Sequence, residues 1–499
     1  MPKAEIRAAA VDLGASSGRV VIGHRTDRGF SLREVHRFPN QPRTVGSVLR
    51  WDATALLAGI LDGLRAAAQA GPVDAVSVDG WAVDYGLLDG DGGLLADPAC
   101  YRDARTGLAF TAVTDGGVNG VDATRLYEAT GIAAQPVNTV FQLMAERSFG
   151  QLRSARHAVL VPDLMTYWLS GQLGTELTNA STTGLLDTRT MTWADQLAGA
   201  LGVPVSLFPR LWAAGETAGP MTQALVSELG LARPPQVIIG PSHDTAAAVA
   251  GVPAADDAFA FVCTGTWAVA GVELPAPVIN GTACEAGFSN EVGVDGTTRF
   301  LRNVTGFWLL QECAREWQDG GQRVDLDELT RAAARLPARL AIIDVQDPAF
   351  MPPGEMTGRI VRACELATGV RLSSQAEILR CILDSMAVAI RHAVRDAVRV
   401  TGHPVRTAHV VGGGVANALF CQLVADACGL PVVAGPAEAA SWGNMLVQAR
   451  ALGEASGSLP ELRSLVRHST RLTTYQPEDS AQTWEHADEV VLTSRGATP

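Results

Sequence analysis

One pattern occurs twice in this chain, and its recurrence sets the architecture. The stretch "AAAVDLGASSGRVVIGHR", Ala8–Arg25, is an apolar run ending in aspartate, a turn of Gly, Ala and Ser, and a second apolar run. Phe259–Cys263, the turn "TGTW" and Ala268–Leu274 repeat that shape without repeating its letters. A strand that meets a second strand across a small-residue turn is a hairpin. It is not the strand-to-helix turn of a dinucleotide-binding fold. Its return past mid-chain predicts a duplicated core, two related domains with a cleft between them. At 499 residues the chain is also too long for one ordinary core.

The remaining patterns fill in an α/β order. Ile6–Asp12, Arg19–His24 and Phe30–Phe38 read as three strands joined by short turns. Ala53–Ala70 carries apolar residues at helical spacing and stops at Gly71. Ala75–Asp89 reads as strand, turn and strand, and Val161 opens a helix closed by Gly171. Gln236–Ile239 is a strand leading to a helix that starts near His243, and Pro253–Asp257 reads as a connection. Beyond it come a long helix (Ser374–Thr401), the strand "TAHVVGGG", a helix from Asn417 to Cys428 and the strand "PVVAG". The domains are expected at 1–251 and 252–475, with a helical tail at 476–499.

Composition excludes several function classes. A net charge of −13 disfavours nucleic acid and anionic membranes as partners, because an acidic surface repels phosphates. A local nest of N–H groups can still bind a small anion. The opening residues do not read as a signal peptide, since Glu5, Arg7 and Asp12 break any apolar run; the expectation is a cytoplasmic protein. The eight cysteines show neither zinc spacing nor a small disulfide framework, so buried reduced thiols are expected. Lys3 is the only lysine. A Walker A loop, a protein kinase and a pyridoxal enzyme each need a lysine at the reacting centre, so all three are excluded unless the N-terminal tail supplies it.

Each candidate site has an ordinary structural alternative. Asp12 with the turn Leu13–Gly18 suits a divalent cation and phosphate oxygens, or is merely a tight hairpin. In "PSHDTAAAVAG", Pro241–Gly251, Asp244 is placed as a general base, or Ser242 or Asp244 is only an N-cap. "CTGTW" offers Thr264 and Thr266 to phosphate, and the glycines of "VVGGGVANALF" let a flat ligand lie on the backbone. "DGWAVDYG", Asp79–Gly86, offers an aromatic face and carboxylates to a polyol, or is a core tryptophan with turn residues. "YRDART" adds Arg102 and Asp103; "RNVTGFWLLQ" adds Asn303 and Gln311, read as one face of a helix.

Together and in this order, "VDLGASSGRV", "REVHRF", "YRDART", "SHDTAAAV", "TGTW", "GFWLLQ" and "VVGGG" resemble the FGGY carbohydrate kinases over nearly the whole chain. The resemblance implies two ribonuclease H-like, actin-like ATPase domains and a monomer or small homo-oligomer. It implies ATP and Mg2+ as cofactors, and L-rhamnulose phosphorylated at O1, with L-fuculose or D-xylulose as the alternative ketoses. It implies that Ala15, Ser16, Ser17, Gly18 and Arg19 contact ATP phosphates, that Asp12 organises magnesium, and that Thr266, Gln311 and Gly413 hold the nucleotide. His243, Asp244 and Thr245 would meet the sugar with Asp244 as proton acceptor, and Asn303, Trp81 and Ala82 would line its place. In this sequence "GWA" stands where the family has "TWG", so Ala82 replaces a glycine and bears on sugar choice. Val424 stands where relatives have a cysteine near Cys428, so a disulfide there is not expected. Two readings from other classes compete: an actin-like nucleotide or sugar sensor, which has no need of a base at Asp244, and a dinucleotide oxidoreductase. The oxidoreductase fails because no G-x-G-x-x-G opens a helix after Asp12.

Overall fold

The computed structural model describes residues 7–26, 29–147, 150–265, 267–479 and 481–496. The chain forms two compact α/β units, and each draws on separated stretches of sequence. The first comprises 1–255, 273–300 and 439–470; the second comprises 256–272, 301–438 and 471–499. The compact units are interleaved in sequence and so differ from a division into consecutive stretches. Packing explains the difference: the helix Ala439–Ala451 lies against the helix Asp244–Ala250 of the first unit.

In the first unit, β1 (Arg7–Leu13) and β2 (Ser17–Thr26) form the expected hairpin, and β3 (Gly29–Pro39) continues it. Ile6, where the first strand was expected to begin, lies outside the described residues. Helix α1 (Ala53–Gln69) starts at Asp52, whose side chain accepts the Ala55 N–H. It buries Leu56, Ile60 and Leu64, each contributing about 1.5–3 kcal/mol by leaving water. Gly59 and Gly63 let α1 press on the sheet, since a Cβ at either would overlap Phe38 or Val20. Then β4 (Ala75–Gly80) joins β1 in parallel, placing Asp12 opposite Asp79. β5 (Thr217–Pro220) and β6 (Gln236–Ile238) complete a sheet of order β5-β6-β4-β1-β2-β3. Parallel strands β1, β4 and β6 end on the same side, and α2 (Asp244–Ala250) follows β6 there.

Gly443 marks the tightest helix contact: a Cβ there would lie 1.8 Å from the carbonyl oxygen of Ala247 on α2. The obstacle is backbone, so Gly443→Ala must push the helices apart, which costs about 1–3 kcal/mol. Scanning calorimetry is expected to show a melting temperature lower by roughly 3–10 °C. Gly199→Ala, where a Cβ meets nothing within 4 Å, is the control and leaves it unchanged or slightly raised.

The second unit repeats the motif. β7 (Phe259–Thr264) and β8 (Ala268–Leu274) make a hairpin. β9 (Thr298–Val304) precedes helix α3 (Trp308–Asp319), and β10 (Thr407–Gly412) joins β7 in parallel, with Thr264 opposite Gly412. Asn303 and Gln311 therefore do not share a helix face. Asn303 lies on a strand whose alternating "TRFLRNV" suits a sheet, and Thr305–Gly306 separates it from α3. The long helix Gln375–Thr401 is opened by a capping box of Ser374 and Glu377. The tail helix Glu485–Gly496 is pinned to it through Asp488, which meets Arg391, His392 and Arg395. All eight cysteines are free thiols. Among the described residues no helix is long and apolar enough to cross a membrane.

Candidate functional site

In the first unit three carboxylates gather where the parallel strands end. Asp12 is buried in β1, and Arg19, its cross-strand partner, gives both Nε (2.9 Å) and a terminal nitrogen (2.6 Å) to its Oδ2. Asp79 at the end of β4 is fully buried; Asn444 donates to its Oδ2 at 2.5 Å, while Oδ1 has no hydrogen-bond partner. Burial, then the charge of Asp12, push the Asp79 carboxyl well above the usual carboxylate range. Asp244 is the first residue of α2. The backbone joins these points: the Gly80 N–H donates to the Ser242 carbonyl (3.0 Å), and the Trp81 N–H donates to the Leu13 carbonyl (3.1 Å).

The ordinary alternative for Asp244 was a helix cap. The cap position is instead His243, and its side chain makes no capping hydrogen bond. Asp244 thus keeps its carboxylate for other work. Its Oδ1 accepts from Thr245 Oγ1 at 3.1 Å and faces His243 Nε2 at 3.5 Å, and 34 % of the side chain is exposed. Partial burial raises its pKa; His243 opposes that and Asp12 adds to it. The segment before it is anchored by the fully buried Glu176. The Glu176 Oε2 accepts the N–H groups of Ser242 (2.9 Å) and Thr178 (3.0 Å) and the Thr178 hydroxyl (2.5 Å).

The turn Gly14–Ser16 is closed by the Gly14 N–H on the Ser17 carbonyl and by Asn40, whose side-chain amide donates to the Gly14 carbonyl. The N–H groups of Ala15 and Ser16 have no acceptor among the described residues. Gly18 packs under Phe38, where a Cβ would sit 2.3 Å from the ring. Arg37 reaches the Ser17 hydroxyl at 3.3 Å.

Trp81 is 6 % exposed, and its indole N–H is spent on Asp84 at 3.0 Å. Asp84 is fully buried and is the hub of this corner. Its Oδ2 also accepts the Trp51 indole (2.6 Å) and the Tyr101 N–H (3.1 Å), and its Oδ1 accepts from Gln142 (2.9 Å). Burial lifts its pKa to about 6 against those four donors. Ala82 is half-buried and begins a tight turn: the Asp84 N–H donates to the Ala82 carbonyl across Val83, whose φ is +69°. A branched residue in that region is strained, and the Asp84 hub with Thr139 and Gln142 on the Val83 carbonyl holds it. Asp103 is spent locally, accepting the Leu49 and Arg105 N–H groups, and Arg102 is exposed.

In the second unit the glycine run is shaped by Thr264. Its hydroxyl donates to the Val411 carbonyl (2.7 Å) and accepts the Gly414 N–H (2.8 Å), so it positions the loop and is not left for phosphate. Gly412 has φ +86°, and a Cβ there would overlap the Thr264 carbonyl. Gly413 is exposed with open space above it. Gln311 is exposed on α3, and the Asn303 carbonyl accepts from Gln346. Thr266 lies outside the described residues.

Sequence reasoning offered Asp79 only as a carboxylate for a polyol, and it missed Asn444, Glu291 and Arg299. Asp79 had a signal: "SVDG" ends a buried strand in Val-Asp just as "AVDLG" does. The other three had none, because each reaches the site from a distant element.

The model of the FGGY family of carbohydrate kinases, N-terminal domain, matches residues 8–251, and that of its C-terminal domain matches 260–452. The chain is 37 % identical over 482 residues to the rhamnulokinase of Bacteroides thetaiotaomicron, covering 96 % of this chain and 97 % of that one. It is 38 % identical to the rhamnulokinase of Klebsiella pneumoniae over 95 % of both chains. Among solved structures, the ligand-bound xylulose kinase of Lactobacillus acidophilus is similar in fold, with a TM-score of 0.81, 17 % identity and 98 % of both chains covered. The Plasmodium falciparum glycerol kinase with ADP is similar too, with a TM-score of 0.76, 14 % identity, and 99 % and 98 % of the chains covered.

Proposed function

Because the chain belongs to the FGGY family of carbohydrate kinases, we propose that it transfers the γ-phosphoryl group of ATP to O1 of L-rhamnulose, giving L-rhamnulose 1-phosphate and ADP. It is an ATP-dependent sugar kinase. The choice of ketose rests on the rhamnulokinases it resembles across nearly its whole length. The observation that carries the mechanism is Asp244: a partly exposed carboxylate on the first turn of α2, free of capping duty and held by Thr245 and His243.

In this reading the O1 hydroxyl attacks the γ-phosphorus and gives its proton to Asp244. The bond from the γ-phosphorus to the bridging oxygen breaks, and ADP leaves. Such transfers depend mainly on positioning and charge neutralisation. The unused N–H groups of Ala15 and Ser16, with Ser17, Gly18 and Arg19, would receive phosphate oxygens. In the second unit Gly413, Gln311 and Thr266 would hold the nucleotide, and His243 and Thr245 of the first unit would bind the sugar. Trp81 offers an edge at most, so Ala82 is the residue of that turn left to touch a sugar.

Magnesium fits this residue set as an ion carried in with ATP. Among the described residues no group of three or more His, Cys, Asp or Glu side chains is built to hold a metal alone. Magnesium typically takes one or two carboxylates and keeps phosphate oxygens and waters. Asp12, with one oxygen held by Arg19, would be that carboxylate, and the bound ion would neutralise charge on the phosphates. The reading places the work in the cytoplasm.

Initial rates of ADP release with MgATP, run on L-rhamnulose, L-fuculose, L-ribulose, D-xylulose and glycerol, test it. L-rhamnulose is expected to show the highest kcat/KM, with turnover lost on chelation by EDTA. A higher value on another ketose would keep the reaction, move the substrate and point to Ala82. ATP binding without turnover on any of them would overturn the reading.

A further inference from the structure

Behind His243 lies an ion pair that the reaction does not use directly. Glu291 and Arg299 stand on the strands Ser289–Val292 and Thr298–Val304, eight residues apart in the chain. Arg299 is fully buried. Its Nε and one terminal nitrogen donate to the Val292 carbonyl at 3.2 and 3.1 Å. That same terminal nitrogen lies 3.4 Å from the Thr178 carbonyl and 3.2 Å from His243 Nδ1. The other terminal nitrogen lies 2.9 Å from Glu291 Oε2. That oxygen is 3.4 Å from His243 Nδ1. On the far edge of the ring, His243 Nε2 faces Asp244 Oδ1 at 3.5 Å. A continuous line of contacts therefore runs Glu291, Arg299, His243, Asp244.

Burying an ion pair is seldom the cheapest way to fill a core; an apolar pair of the same volume often does as well. Its use here follows from the donor chemistry. Guanidinium can only donate, so the shorter contact to Nδ1 requires a lone pair on that nitrogen. The ring proton then sits on Nε2, the edge that faces Asp244. Glu291 stays ionised: burial acts to raise it, but the Arg299 guanidinium beside it outweighs that and holds it below the usual carboxylate range. Its charge balances that of the fully buried Arg299.

We propose that Glu291 and Arg299 are positioning residues that hold His243 as its Nε2–H tautomer and aim that N–H at Oδ1 of Asp244. Oδ1 is then occupied by His243 and Thr245, and Oδ2 is the oxygen that takes the substrate proton. The pair never touches the substrate. Its role rests on Asp244 being the base, but the tautomer of His243 does not.

The test separates the two. Long-range proton–nitrogen spectra of the nitrogen-labelled whole chain, with the His243 signals assigned by their loss in His243→Gln, report the tautomer without any turnover. The expected result is neutral His243 protonated on Nε2; protonation on Nδ1 overturns the proposal whatever the kinetics say. In Arg299→Met, which keeps bulk and removes the donor, the Nε2–H population is expected to fall; Glu291→Gln keeps shape and removes the charge that balances Arg299. In both, kcat is expected to drop by about ten- to a hundredfold, with the sugar KM changing much less. A wild-type kcat in both folded variants sinks the positioning role. Should Asp244→Asn stay active while the tautomer is as expected, the base assignment fails and the placement of the ring stands.

Discussion

Asp244→Asn is expected to lower kcat by about 10²–10⁴-fold, the usual cost of losing a general base. The substitution keeps the shape of the side chain and its acceptor for Thr245, so the fold and nucleotide affinity are expected to persist. ADP release measures the first effect and calorimetric titration of ATP the second. A kcat within about tenfold of wild type would remove Asp244 from the base role. The direction of its pKa adds a second reading. Asp244 must be ionised to accept a proton, and burial and Asp12 raise it. The acid limb of the rate profile is therefore expected above the ordinary carboxylate value, and activity falls as pH drops through it.

The second large effect is on stability. Asp84→Ala would remove the acceptor of the Trp51 and Trp81 indole N–H groups and of the Tyr101 N–H, while the Gln142 amide keeps the Val83 and Val137 carbonyls. Each orphaned buried donor costs about 1–3 kcal/mol, and relaxation recovers part of it. A net loss of about 3–5 kcal/mol is expected, read as a large fall in melting temperature. Release of the Val83 turn is expected to raise the sugar KM as well, because Ala82 sits on it. The pH dependence has a definite sign. The folded pKa of about 6 lies above the 3.8 ordinary for an aspartate, so the folded state holds the proton more tightly. The stabilisation this gives is complete below about pH 4 and is lost as pH rises through about 6; the gap corresponds to about 3 kcal/mol. Asp84→Asn has no such titration. The melting temperature of wild type minus that of Asp84→Asn is therefore expected to fall between pH 4 and 7. A flat difference would mean that the four donors keep Asp84 ionised throughout.

Much of the fold was legible because it is local. The hairpins at Ala8–Arg25 and Phe259–Leu274 are marked by apolar runs and small-residue turns, and both form. Helices with a cap or a period were found: Asp52 opens α1, and Ser374 opens the long helix. Asn303 was misplaced because a polar and apolar mixture of a few residues suits a strand or a helix equally, and only pairing decides. How the compact units interleave along the chain is not legible for a similar reason. Nothing in "AASWGNMLVQAR" says which unit the helix joins; the answer lies in Gly443 fitting the Ala247 carbonyl.

The sequence alone determined the identities that chemistry demands: an aspartate at a strand end, an Asp244 after a strand, glycines where backbone must come close, and a single lysine, Lys3, near the N-terminus. These are properties of short segments, set by side-chain type and neighbours in the chain. Tertiary structure decided which of those groups are free. It spent the Trp81 indole on Asp84 and the Thr264 hydroxyl on the glycine loop, and it left Asp244 uncapped. It also brought Asp79, Asn444, Glu291 and Arg299 to the site from distant stretches. Hydrogen bonds and burial depend on what the fold places within about 3 Å, and no spacing along the chain encodes that distance.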